Sequence, residues 1–157
     1  MSKYKEEYVK RVIVSGFFNP LHGGHLDMIE AAAKLGDSLI VVVNNDQQQL
    51  LKKGKIILDE ENRIRLIRAL RDVDEAILAV DQEPPVIQTL EKIALQYPDD
   101  ELVFANGGDR DSEKAIPEGD VCRKYDIEML FNVGFDIRGF VKPDSSTRIN
   151  QETGADV

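Results

Sequence analysis

This sequence predicts a doubly wound α/β fold, a parallel five-stranded sheet with helices on both faces. Three observations lead there. Short apolar runs alternate with amphipathic stretches along most of the chain. The run Ser38-Leu39-Ile40-Val41-Val42-Val43 is apolar almost without a break, which is how a strand covered on both faces reads. Helical patterns separate the strands, and such alternation gives parallel neighbours joined by right-handed crossovers.

The elements follow in order. Residues 1–10 are polar and charged and read as a short arm. Val12-Ile13-Val14 centres a strand over 11–15, ended by Ser15-Gly16. A helix over about 24–35 has Leu26, Ile29 and Ala33 on one face, and Gly36 stops it. Strand two spans 38–43. Residues 47–58 turn polar and basic, with Lys52, Lys53 and Lys55 around Gly54, and read as a loop. Asp59 caps a helix running to about residue 71, with Ile64, Ile67 and Leu70 as its stripe. A third strand covers 76–80. Pro84-Pro85 opens a helix whose face is Val86, Leu90, Ile93 and Ala94, and Pro98 lies just past its end. A fourth strand covers 101–105, a short helix falls within 118–125, and a fifth strand covers 127–133. A final short helix follows residue 148.

At 157 residues the chain is most simply one domain with a sizeable core. No apolar run reaches membrane-spanning length and the first residues carry no signal-peptide core, so no membrane association and a cytoplasmic protein are expected. One cysteine, Cys122, cannot form an internal disulfide and suits a reducing compartment. The formal net charge of −9 argues against nucleic acid as a broad-surface partner, but not against a nucleotide. A triphosphate needs only a local positive pocket, helped by Mg²⁺. An acidic protein of that kind must gather its cations near the site.

Both histidines of the chain, His22 and His25, lie in one tetrapeptide around Gly23-Gly24. They sit between the first strand and the helix that follows, where the helix N-terminus favours an anion. Imidazoles three residues apart across two glycines can both donate to phosphate oxygens. On local grounds the pair can equally be a helix cap with a solvated partner, or half a metal site. In sheets of this kind, ligands bind outside the carboxyl ends of the strands where strand order reverses. The loops there, 16–25, 44–58 and 106–110, are the stretches richest in Gly, His, Lys and Asn.

The string Gly16-Phe17-Phe18-Asn19-Pro20-Leu21-His22-Gly23-Gly24-His25 resembles the Gly-x-Phe-Asp-x-x-His-x-Gly-His signature of the cytidylyltransferase-like nucleotidylyltransferases. The resemblance runs from residue 12 to about 150 and implies a Rossmann-like sheet. Asn19 departs from it, standing where much of the family has Asp and so lacking the charge. The resemblance assigns His22 and His25 to transition-state stabilisation and Gly16, Phe17, Phe18, Asn19 and Gly24 to the nucleotide. Lys52, Lys53 and Lys55 resemble the basic loop of glycerol-phosphate cytidylyltransferases and heptose-phosphate adenylyltransferases, with Lys55 taken as catalytic; a solvated loop reads the same way. Arg63 resembles the Arg of a Glu-x-Arg at the start of the next helix. Gly107-Gly108-Asp109-Arg110 resembles a segment lining the nucleotide pocket, although a turn with a capping Asp would look alike. Ser145-Ser146-Thr147-Arg148 resembles the element that holds the β and γ phosphates, and it is also a plain N-cap. Nothing specific is recognised over 111–126.

The implied reaction moves AMP or CMP from ATP or CTP, with Mg²⁺, onto a small phosphorylated acceptor such as a sugar phosphate or polyol phosphate, releasing pyrophosphate. The Gly-Gly-Asp leans toward the sugar-phosphate adenylyltransferases, and cytidylyltransferases are the runner-up. No metal ligands are assigned on the protein. Relatives are often dimers, so a homodimer is allowed for. A non-catalytic nucleotide-binding module on the same fold is the alternative from another class. An NAD-dependent oxidoreductase lacks its Gly-x-Gly-x-x-Gly after strand one, where Pro20 stands instead.

Overall fold

The apolar runs of the sequence become the centre of a parallel sheet. The computed structural model describes residues 8–107 and 116–134. Among these residues the chain order is β1 (Lys10–Gly16), α1 (Gly23–Ala33), β2 (Ser38–Val43), α2 (Asp46–Lys53), α3 (Glu60–Arg68), β3 (Glu75–Leu78), α4 (Ile87–Gln96), β4 (Glu101–Ala105), α5 (Gly119–Lys124) and β5 (Glu128–Leu130). The strands pair in parallel in the order β3-β2-β1-β4-β5. The chain builds outward from β1 to β3, then returns to the other side of β1. The reversal between β1 and β4 opens the crevice that the sequence rule anticipates.

Alternation along β1 shows how both faces are covered. Val12 and Val14 belong to a core with Ile29 and Ala32 of α1 and Ile67 of α3. Ile13 between them faces a second core with Leu90 and Ile93 of α4 and Val121 and Cys122 of α5. Successive side chains of a strand point to opposite faces, so one strand feeds both layers. All of β2 from Leu39 to Val43 is buried, matching its unbroken apolar run.

Three expectations need correction. The polar arm is shorter than residues 1–10: Lys10 is the first residue of β1 and Val9 accepts a hydrogen bond from Glu101 N at 3.0 Å. The fifth strand is short, Glu128–Leu130. The largest difference is α2, which occupies a stretch read as loop. Asn45 Oδ1 accepts from Gln48 N and Gln48 Oε1 accepts from Asn45 N, each at 2.8 Å. That reciprocal pair is a capping box. The helix then buries Gln48 and Gln49 while Leu50 and Leu51 stay exposed. Gln48 Nε2 donates to Glu83 O at 2.7 Å and Gln49 Nε2 to Lys55 O at 3.0 Å. A helix that buries amides and exposes leucines has no apolar stripe to detect. By contrast, Asp59 caps α3 as expected, accepting from Asn62 N at 2.9 Å.

The turn from α1 into β2 is closed tightly. A Cβ at Gly36 would lie 2.7 Å from Lys10 O and 2.9 Å from Val12 Cγ2. Gly36→Ala is therefore expected to lower stability by about 1–3 kcal/mol, because backbone must move to admit the methyl group. Urea denaturation of the two proteins measures this, and an unchanged midpoint would refute the steric account.

Candidate active site

The signature loop leaves β1 at Gly16 and doubles back under itself. Phe18 adopts φ +54°, a conformation costly for a bulky side chain. Its ring is 1% exposed and lies edge-on to His25, with centroids 5.0 Å apart. Burial of that ring offsets the strain. Space for it comes from Gly16, where a Cβ would sit 2.6 Å from Phe18 Cζ.

The two histidines build a capping box of their own. His22 is the N-cap of α1, and its Nδ1 accepts from Gly24 N at 3.1 Å. His25 reaches back, its Nδ1 accepting from His22 N at 3.2 Å. In each neutral ring Nδ1 is thus the acceptor, so the proton resides on Nε2. The rings stack with centroids 3.8 Å apart. The cap reading and the phosphate-donor reading therefore coexist: one nitrogen of each ring closes the helix and the other carries a donor hydrogen. The positive end of the α1 dipole lies at the same place.

A cleft of about 490 Å³ opens here at the carboxyl ends of β1 and β4. Of the residues singled out by sequence, Gly16, Phe17, Phe18, Gly24, His25, Lys52 and Gly107 line it; His22 does not, but its ring stacks on His25. Lys52 Nζ lies 5.3 Å from the centre of the Phe17 ring. Lys53 and Lys55 are exposed and do not appear in the lining. Gly108, Asp109, Arg110, Ser145, Ser146, Thr147 and Arg148 lie outside the described residues, as does the final helix.

Two residues serve elsewhere than the sequence suggested. Asn19 is 3% exposed, and its Oδ1 accepts from Ile57 N at 3.0 Å and Leu58 N at 2.9 Å. It ties the segment after the lysines to the histidine loop. Arg63 has no exposure at all. Its Nε donates to Leu58 O at 2.8 Å, its Nη1 to Phe17 O at 2.8 Å and Asn44 O at 2.6 Å, and its Nη2 pairs with Asp46 Oδ1 at 2.7 Å. The guanidinium is directed into protein carbonyls and one carboxylate, which makes it a strut beneath the cleft instead of a phosphate ligand.

Sequence reasoning passed over several lining residues: Met28, Pro84, Pro85, Pro117, Glu118, Val133 and Gly134. Pro84 and Pro85 follow β3 and Val133 and Gly134 follow β5, so the rule about carboxyl ends, applied to every strand, would have found them. Glu118 gives no local signal. Its Oε2 accepts from Val86 N at 3.0 Å, at the start of α4.

A sequence model of the family described as Cytidylyltransferase-like matches residues 13–151. An FAD synthase of Ferroglobus placidus is 40% identical over 85 residues, 54% of this chain and 54% of that protein. The bifunctional protein HldE of Gluconobacter oxydans is 38% identical over 105 residues, 62% of this chain and 22% of that protein. A lipopolysaccharide core biosynthesis protein from Thermoplasma volcanium superposes with a TM-score of 0.61 at 29% identity, over 78% of this chain and 95% of that one. The match thus spans about half the length of the FAD synthase.

Two outcomes follow from this geometry. His22→Asn keeps a good N-cap but removes the imidazole; its melting temperature should stay near that of the parent while any phosphate affinity of the cleft drops, read by titration with a nucleoside triphosphate. Arg63→Met strands three carbonyls and Asp46, and should cost on the order of 3–5 kcal/mol in denaturant unfolding; a loss below about 1 kcal/mol, as for a surface pair, would show that the strut is dispensable.

Proposed function

The chain belongs to the cytidylyltransferase-like family, and from that membership we propose that it transfers a nucleotidyl group from a nucleoside triphosphate to a phosphorylated acceptor. ATP is the donor of choice, because FAD, which the name of the FAD synthase match gives as its product, is AMP joined to FMN by a phosphoanhydride bond. FMN and the sugar or polyol phosphates suggested by sequence are the acceptors to compare.

The observation that carries the reading is His25. Its ring lines the cleft at the N-terminus of α1, with its Nδ1 held by His22 N and its proton therefore on Nε2. In the proposed step an acceptor phosphate oxygen attacks the α-phosphorus, the acceptor O–Pα bond forms, and the Pα–O bond to the β-phosphate breaks to release pyrophosphate. No covalent enzyme intermediate is needed, so positioning and charge stabilisation supply the acceleration. Nε2–H of His25, oriented by the reciprocal cap with His22, stabilises the charge spreading over the α-phosphate. Lys52, which lines the cleft, takes the neutralising role that the sequence reading spread over Lys52, Lys53 and Lys55. Ser145, Ser146, Thr147 and Arg148 are assigned to the departing pyrophosphate on resemblance alone. Mg²⁺ would enter with the triphosphate and supply part of the charge neutralisation there. No group of three or more His, Cys, Asp or Glu among the described residues could hold a metal ion. Likewise, no described helix is long and apolar enough to cross a membrane.

The test is pyrophosphate release from each of the four nucleoside triphosphates with Mg²⁺ and a panel of phosphomonoesters. With the working pair identified, His25→Ala should lower kcat by roughly 10²–10³, the usual loss for one transition-state donor. Turnover near the parent value in a folded His25→Ala protein would overturn the assignment. Tight triphosphate binding without pyrophosphate release from any acceptor would favour the non-catalytic reading.

A further inference from the structure

We infer that Phe17 is the platform on which the body of the acceptor lies, and that the acceptor is a phosphomonoester bearing a planar ring system rather than a bare sugar or polyol phosphate. This rests on the transfer reading above and goes further, to the substrate class and the residue that selects it.

Among the described residues, flat apolar surfaces from three separate loops line the cleft. The half-buried Phe17 follows β1, Pro84 and Pro85 follow β3, and Pro117 precedes α5. Among the described lining residues, two side-chain amides are already engaged. Asn44 Nδ2 donates to Gln48 Oε1 and Pro84 O, each at 3.1 Å. Asn106 Nδ2 donates to Leu130 O at 3.2 Å and Phe104 O at 3.4 Å. A polyhydroxylated body laid on those apolar faces would give up water to surfaces that offer it no hydrogen bond, which costs free energy for each unpaired group. A planar ring carries far fewer such groups and gains by stacking.

Charge fixes which way such a ligand lies. The N-terminus of α4 would ordinarily attract an anion, but carboxylates occupy it. Asp81 accepts from Gln88 N at 2.6 Å and Thr89 N at 3.1 Å, and Glu118 accepts from Val86 N at 3.0 Å. That end of the cleft repels phosphate. The attracting end holds the α1 N-terminus with His25, and Lys52 on its flexible stem above Phe17. A phosphate drawn to Lys52 and His25 leaves the rest of the ligand across Phe17 and the prolines.

The experiment compares FMN with ribitol 5-phosphate, which has the same phosphorylated arm and no ring. With saturating ATP and Mg²⁺, kcat/KM from pyrophosphate release should favour FMN by roughly tenfold to a hundredfold, the range of one aromatic stacking contact. Phe17→Leu should collapse that preference through the KM for FMN, and Phe17→Trp should keep it. Equal kcat/KM for the two acceptors, or a preference unchanged in Phe17→Leu, overturns the inference. A second readout needs no turnover: FMN fluorescence titrated with protein saturated by a non-hydrolysable ATP analogue. Quenching in the parent and Phe17→Trp proteins that is lost in Phe17→Leu supports the platform. No quenching, or quenching indifferent to Phe17, refutes it. If ATP releases pyrophosphate with neither acceptor while the wider panel finds a working pair, the acceptor class is overturned; if no pair in that panel works, the transfer reading fails, and the titration still decides the role of Phe17. Melting curves confirm that each variant is folded.

Discussion

A guanidinium sealed from water holds the working end of this molecule together. Arg63 bonds to the carbonyls of Phe17, Asn44 and Leu58 and pairs with Asp46. These residues come from the histidine loop, the end of β2, the segment after the lysines, and the first turn of α2. A charge so buried would be prohibitive without partners, and here its donors are met by protein acceptors. The consequence reaches the cleft. Because Asp46 begins the helix that ends with Lys52 and Lys53, the clamp that fixes Asp46 also fixes where Lys52 stands relative to Phe17. Asn19 adds a second tie, from the histidine loop to Ile57 and Leu58. Cation, aromatic ring and imidazoles are thus positioned from below by Arg63, Asp46 and Asn19, none of which lines the cleft.

The histidine pair shows how little chain such a site requires. Two side chains and two glycines close a helix end, fix both tautomers and leave donor hydrogens on Nε2, all within four residues. Serine and glutamate could make the same box. Imidazole adds the second nitrogen, which a cap alone does not use. Phe18 completes the unit by lying beneath His25. Its unfavourable φ is held by a ring sealed at 1% exposure, and the absence of a side chain on Gly16 makes room for it.

Much of the fold was legible because its logic is local and repetitive. The buried run of β2, the cap at Asp59, and the stripes of α1, α3 and α4 follow from period and composition, whereas α1 ends on Lys34 and not at Gly36. The location of the cleft was legible too, since strand order reverses beside β1 and both histidines lie at that point. What escaped was what depends on contacts distant in sequence. The helix α2 hides amides inside and leucines outside, because Gln48 and Gln49 find partners at Glu83 and Lys55. The local signals are its two ends, the Asn45–Gln48 capping box and Gly54; its hydrophobic pattern by itself reads as a polar loop. Arg63 on a helix beginning Glu-Glu-Asn-Arg reads as a surface residue or a ligand contact; that it is neither depends on carbonyls 5, 19 and 46 positions away.

The sequence by itself determined the class of sheet, the identity of the histidine loop, and the need to gather scarce positive charge in an acidic chain. These are properties of composition, periodicity and neighbours a few residues apart. Only the tertiary structure decided which lysine faces the cleft, which arginine is a strut, and that Phe17, Pro84, Pro85 and Pro117 share the cleft with His25. The physical reason is that hydrogen-bond satisfaction is settled by whichever group meets a polar atom once the strands have paired. The same side chain can therefore be solvated, buried or functional until that meeting takes place.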